Sequence, residues 1–149
     1  MRKKIKLIGI LFLLVVIGIQ IIPTETNKEK EINQNDFIKT FAPPEHVSNL
    51  LKKSCYDCHS NSTDYPWYNN VQPINWYIGK HINEAKSSLN FSEFNAYSNR
   101  KKRSKIKSII SQIKDDEMPL SSYTFIHTHA KLSEKEKSDL EVYFNQLNL

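Results

Sequence analysis

The chain has only two cysteines, and both fall in one short stretch, "KKSCYDCHSNS", at residues 52–62. That placement rules out a disulfide-stapled scaffold. A bridge between Cys55 and Cys58 would close a tiny loop and remove little freedom from the unfolded chain. A fold of this size must therefore rest on packed elements, on something held at the two thiols, or on both. His59 follows the second cysteine directly.

The N-terminus reads "MRKKIKLIGILFLLVVIGIQIIPTET". A cationic flank precedes an apolar run at residues 7–22, interrupted only by Gly9, Gly18 and Gln20. A core helix does not carry four cations at one end and no polar face, so residues 1–22 are expected to be an export signal or a membrane anchor. There is no A-x-A-like cleavage site after the run and no cysteine there to take a lipid, which favours an uncleaved transmembrane helix. The positive-inside rule then puts Pro23 onward on the extracytoplasmic, periplasmic side of the cytoplasmic membrane.

The formal net charge of +5 invites a nucleic-acid reading, and its distribution argues against one. Arg2, Lys3, Lys4 and Lys6 belong to the N-terminal flank, while all 16 acidic residues lie beyond Ile22. The remainder of the chain is close to neutral, so no nucleic-acid partner is expected.

Residues 23–36, "PTETNKEKEINQND", have no apolar period and read as a flexible polar tether. Residues 37–149 form the expected folded domain. Val47, Leu50 and Leu51 have helical spacing and deliver Cys55. Residues 61–75, with Pro66 and Pro73, read as an ordered aromatic loop. Ile78, Ile82, Ala85 and Leu89 mark a second helix, and Ile106, Ile109, Ile110 and Ile113 a third. The last starts at Ser133, where Glu136 three residues on completes a capping-box pattern, and turns Leu140, Tyr143, Phe144 and Leu147 inward. No stretch alternates as a strand. Four modest helices with open loops bury little area, which leaves the middle for a cofactor.

Cys-x-x-Cys-His is the pattern for covalent haem attachment. Two sulfurs at this spacing can each add to one of the porphyrin's two vinyl groups. The following histidine then presents an imidazole nitrogen to the iron. Such attachment takes place outside the cytoplasm, where the N-terminal segment directs the chain. Three rivals remain. A thioredoxin-like pair needs a βαβ setting that is not visible here. Zinc would need two of His46, His59, His81, His127 or His129 beside the cysteines, and His127-x-His129 lacks standard spacing. A plain disulfide stabilises little.

For the sixth iron ligand, the part beyond the N-terminal run offers one methionine, Met118, in "KDDEMPLSSYTFIH". Pro119 biases Met118 away from helical geometry and holds it in a loop. A lone methionine is usually a core filler, but this one follows three consecutive acids. His127 is the alternative, with His129 and His81 behind it. Tyr65, Trp67, Tyr68, Trp76 and Tyr77 read as pocket wall and core. The run "RKKRSKIK", residues 100–107, reads as a solvated helix face, with docking of an acidic redox partner as its rival.

These residues together resemble the bacterial haem-binding domain family of small, monohaem, c-type cytochrome-like proteins. The resemblance rests on "CYDCHSNSTDYPWYNNVQPINW", "HINEAKSSLNFSEF" and "MPLSSYTFIHTHAKLS", in that order. Phe94 stands where the pattern calls for tryptophan. The resemblance implies one haem c, attached through Cys55 and Cys58, with His59 proximal and Met118 distal. The expected fold is all-α, a small cytochrome c-like domain of about four helices around the haem, behind an N-terminal transmembrane helix. The expected activity is membrane-tethered single-electron transfer with a redox partner protein, rather than enzymatic turnover. The alternatives are a haem-based sensor or peroxidase with a displaceable distal ligand, and a zinc-stabilised binding module.

Overall fold

A computed structural model describes residues 2–29 and 33–149. Among them the architecture is all-helical, with no strand and a single isolated bridge between Lys28 and Ser62. Helix α1 spans Arg2–Ile19, α2 Phe37–Phe41 and α3 Glu45–Leu51. A π-helical turn, Lys52–Tyr56, joins α3 to the short α4, Asp57–His59, so one wound segment runs into the Cys-x-x-Cys-His motif. Then follow α5 Ile74–Ser88, α6 Asn99–Lys114, α7 Ser121–Ile126 and α8 Glu134–Gln146.

The four helices expected from periodicity are α3, α5, α6 and α8. Their ends follow local chemistry. The Ser133 hydroxyl accepts from the Glu136 amide, and the Glu136 carboxylate accepts from the Ser133 amide, completing the capping box of α8. Ser98 caps α6 in the same way through the Lys101 amide. Two short helices, α2 and α7, were not expected, because neither is long enough to show a period.

The core is larger than the helical pattern suggests, and it is aromatic. Phe37, Phe91, Phe94 and Phe144 are all essentially inaccessible. Phe94 stands edge-on to Phe37 with ring centroids 5.0 Å apart, and Phe91 meets Phe37 edge-on at 5.6 Å. Such pairs contribute beyond the area they bury. Phe91 and Phe94 sit in a 3₁₀ turn, Phe91–Ala96, and Phe37 opens α2. Leu51, Leu140, Ile106 and Ile113 close the cluster. The aromatics expected in the core are placed differently. Trp67 is 78% exposed, Trp76 and Tyr77 lie at the surface, and only part of the group faces a cavity.

The expected transmembrane helix is corrected by the structure. No helix among the described residues is long and apolar enough to cross a membrane. Four of the residues of α1 are the cations Arg2, Lys3, Lys4 and Lys6, and the helix stops at Ile19, before the apolar run ends. Residues 7–19 span about 20 Å at 1.5 Å per residue, against about 30 Å of hydrocarbon. No side chain of α1 is buried and most are exposed, with Val16 and Ile19 half-buried, and its foot is tied to the domain where Gln20 exchanges hydrogen bonds with the Gln72 backbone.

Residues 30–32 of the expected tether lie outside the described residues. Within residues 27–29 the chain is paired to the loop behind the motif. The Glu29 amide donates to the Asn61 carbonyl and the Thr63 amide to the Asn27 carbonyl, both at 2.9 Å. The Asn27 side chain adds bonds to the Ser60 carbonyl and the Thr63 hydroxyl.

Truncating Phe94→Ala removes a ring that packs against four others, those of Phe37, Phe41, Phe91 and Tyr97. It is expected to cost about 3–5 kcal/mol, the range for a large aromatic cut from a packed core. Urea unfolding followed by circular dichroism measures it, and Trp67→Ala, at an exposed position, should stay within about 0.5 kcal/mol.

Candidate cofactor site

The motif is held by the residues between and behind its cysteines. The Tyr56 ring stacks on Phe91 at 5.2 Å, and its hydroxyl donates to the Asp36 carboxylate. Asp57 accepts from the Asp64 amide on one oxygen and from the Tyr123 hydroxyl, at 2.6 Å, on the other. Its backbone carbonyl accepts from the Thr63 hydroxyl. Just before the motif, the Ser54 hydroxyl donates to the Ala130 carbonyl. The spacer residues thus fasten the wound segment on several sides, and the thiols are left free.

His59 is oriented by backbone alone. Its Nδ1 lies 3.1 Å from the Ala85 carbonyl oxygen and 3.0 Å from that of Leu89, at the end of α5. Both partners only accept, so Nδ1 carries the proton and Nε2 keeps a free lone pair. Burial pushes the imidazole pKa down, partly opposed by the two carbonyl bonds, which keeps the ring neutral. A neutral imidazole with one nitrogen fixed by a carbonyl and the other open is the form that binds a metal.

Two adjoining cavities meet at the motif. The first, about 320 Å³, is lined by Cys55, His59 and Met118, with Ile109, Ile113 and Leu132 as apolar floor. The second, about 370 Å³, is lined by Cys58, Tyr68, Tyr77, Tyr123, Ile126 and His127. His81 and Leu120 line both. Each cysteine therefore opens onto its own cavity, within the size range of sites for small organic ligands. The linings explain part of the exposed apolar surface. Tyr77 and Ile126 are 58% and 62% exposed, and both face the second cavity, where a bound apolar group would cover them.

Met118 reaches the first cavity because the chain doubles back after α6. Asp116 takes the left-handed conformation, φ 56°, which an aspartate tolerates better than most residues. The amides of Glu117 and Met118 then both donate to the Gln112 carbonyl, at 2.9 and 3.1 Å. His127 lies across the second cavity, with Nε2 2.6 Å from the Tyr68 hydroxyl and its ring stacked on Tyr123 at 4.4 Å. Of the two candidate distal residues, Met118 shares a cavity with His59, and His127 does not. The zinc arrangement is not assembled. Among the described residues no three His, Cys, Asp or Glu side chains converge as a metal site.

Burial pushes the Cys55 thiol up to about 12, reinforced by Cys58, and the Cys58 thiol up to about 11, reinforced by Asp57. Both are therefore protonated at neutral pH, unlike the depressed thiols of redox pairs. Tyr123 is pushed above the ordinary phenol value by burial and by its bond to Asp57, so it stays a donor. Of the residues singled out in the sequence, Cys55, His59 and Met118 line the first cavity and Cys58 and His127 the second. Sequence reading missed Asp57 as an anchor and the two carbonyls that orient His59. The carbonyls have no residue signature, because any amino acid supplies one.

An all-helical domain with free thiols, an oriented imidazole and a thioether around adjoining apolar cavities defines a binder of a flat, metal-centred, largely apolar ligand. The donor set and the cavities fit haem. The model of the haem-binding domain family matches residues 14–146, and the chain belongs to that family. No curated protein and no solved structure matches it.

A raised thiol pKa means less thiolate at any given pH. Iodoacetamide at pH 8 is therefore expected to alkylate the haem-free folded protein at least about tenfold more slowly than the urea-unfolded chain. The difference narrows as pH rises toward the folded values, and mass spectrometry of quenched samples reads both rates.

Proposed function

We propose that this haem-binding domain is a monohaem c-type cytochrome that carries single electrons outside the cytoplasm. The observation that carries the reading is the shared cavity. Cys55, His59 and Met118 line one space, and Cys58 opens onto the adjoining one. In this reading Cys55 and Cys58 would hold the porphyrin through thioethers, and His59 Nε2 and Met118 would hold its iron. When bound, the haem supplies iron that alternates between ferric and ferrous.

The chain's own residues do the rest. The Ala85 and Leu89 carbonyls keep His59 neutral and fix its plane, which makes the free nitrogen a better donor. The apolar lining lowers the local dielectric and limits water, and a thioether ligand raises the reduction potential relative to a second imidazole. Were His59 and Met118 both to hold the iron, no site would be left for a substrate on it, which favours a carrier over an enzyme. The cationic, apolar N-terminal segment supports export to the periplasmic side, where such thioethers are made. The redox partner is a protein of that compartment.

Expressed with its export segment in a host that matures c-type haem, the chain should give a red protein whose pigment survives acidified acetone. Cys55→Ser with Cys58→Ser should release it. A wild type that loses its pigment to the solvent overturns the proposal. Met118→Ala should abolish the weak near-infrared band of sulfur on ferric iron and lower the midpoint potential. An unchanged spectrum would instead favour the sensor or peroxidase reading, in which the distal position is open.

A further inference from the structure

One helix face beside the first cavity is unaccounted for by ligation or by core packing. On α6, Lys105, Ser108 and Gln112 stand at i, i+3 and i+7, so they share one stripe. All three line the first cavity, next to Ile109 and Ile113. Lys105 is half-buried, and its ammonium has no ion pair or hydrogen bond among the described residues. No other lysine or arginine lines either cavity. An unpaired, partly desolvated cation facing a largely apolar space is costly unless an anion comes to it.

The other charged or titratable groups of this cavity are Glu84 and His81 on α5, His59 on α4 and the Cys55 thiol of the motif. Glu84 is exposed and lies 3.8 Å from Lys80 on its own helix. An anion entering the cavity is repelled on the α5 side by Glu84 and drawn to the α6 side by Lys105. Ser108 and Gln112 add a hydroxyl and an amide N–H as donors on that side. Haem carries two propionate carboxylates on the edge opposite its vinyl groups, so attachment at Cys55 and Cys58 sends the carboxylates away from the motif.

We infer that the Lys105–Ser108–Gln112 stripe receives a propionate carboxylate of the haem, with Lys105 as its counter-ion. This rests on the cytochrome reading above. The paired carboxylate is held ionised and partly neutralised close to the iron. Removing the cation leaves a bare anion there, which stabilises ferric iron and lowers the potential.

The test uses the full chain matured with haem and compares the wild type with Lys105→Gln, Lys105→Arg and Lys107→Gln. Lys107 lies on the same helix but is exposed and lines neither cavity. The midpoint potential should fall in Lys105→Gln by several times the change in Lys107→Gln, and Lys105→Arg should restore most of it. Redox-difference infrared spectra should show a carboxylate band that shifts in Lys105→Gln and not in Lys107→Gln. A pigmented Lys105→Gln protein with the potential and carboxylate band of Lys107→Gln overturns this inference and leaves the cytochrome reading standing. A wild type without covalent pigment overturns both.

Discussion

The site depends on how one imidazole is held. His59 Nδ1 donates to two carbonyl oxygens, those of Ala85 and Leu89. Those carbonyls are at the end of α5, where the Ala85 oxygen also accepts the Leu89 amide and Leu89 itself lies just past the last helical residue. The bond pair sets the tautomer, the ring plane and the neutrality of the histidine together. It also fixes the position of α5 relative to the motif, so the cavity walls that α5 contributes are set by the same contact. The helix end and the histidine satisfy each other.

The rest of the motif follows the same economy. Tyr56 reaches to Asp36 and stacks on Phe91, which joins the motif to the aromatic core. Asp57 reaches to Tyr123, which joins it to α7 and the wall of the second cavity. The two spacer positions are thus structural on opposite sides, and their anchoring turns the cysteines toward the cavities. A π-helical turn carries Cys55, and wide turns of this kind recur where a helix must present side chains outside its usual register.

How much of this was legible in the sequence depends on range. Helices α3, α5, α6 and α8 show their apolar periods, and Ser133 with Glu136 announces a helix start, because these are interactions within a few residues. The core was legible in part. Val47, Leu50, Leu51, Ile106, Ile113, Leu140 and Phe144 follow helical periods and are buried, whereas Phe37, Phe91 and Phe94 come from segments with no period, and only the tertiary fold brings them together. The aromatic loop was overread, since residue type alone does not separate Tyr68, which lines a cavity, from Trp67, which faces solvent. The N-terminal run was overread for length. Counting apolar residues missed that α1 includes its cations and ends before the run does. Cys55, Cys58, His59 and Met118 could be singled out as candidates because their chemistry is specific to residue type, and the structure places all four on the two adjoining cavities.

The loop after α6 carries a further consequence. Met118 is fixed by the Gln112 carbonyl, and the neighbouring Asp116 pairs with Lys137 on α8. The motif is fixed instead to α5, α7 and the aromatic cluster. The thioether and the imidazole therefore ride on separate scaffolds, one on the α6–α8 edge and one on α5. Loosening the exposed Asp116–Lys137 clasp would free the sulfur side while leaving the nitrogen side clamped, giving the domain one stiff jaw and one compliant jaw.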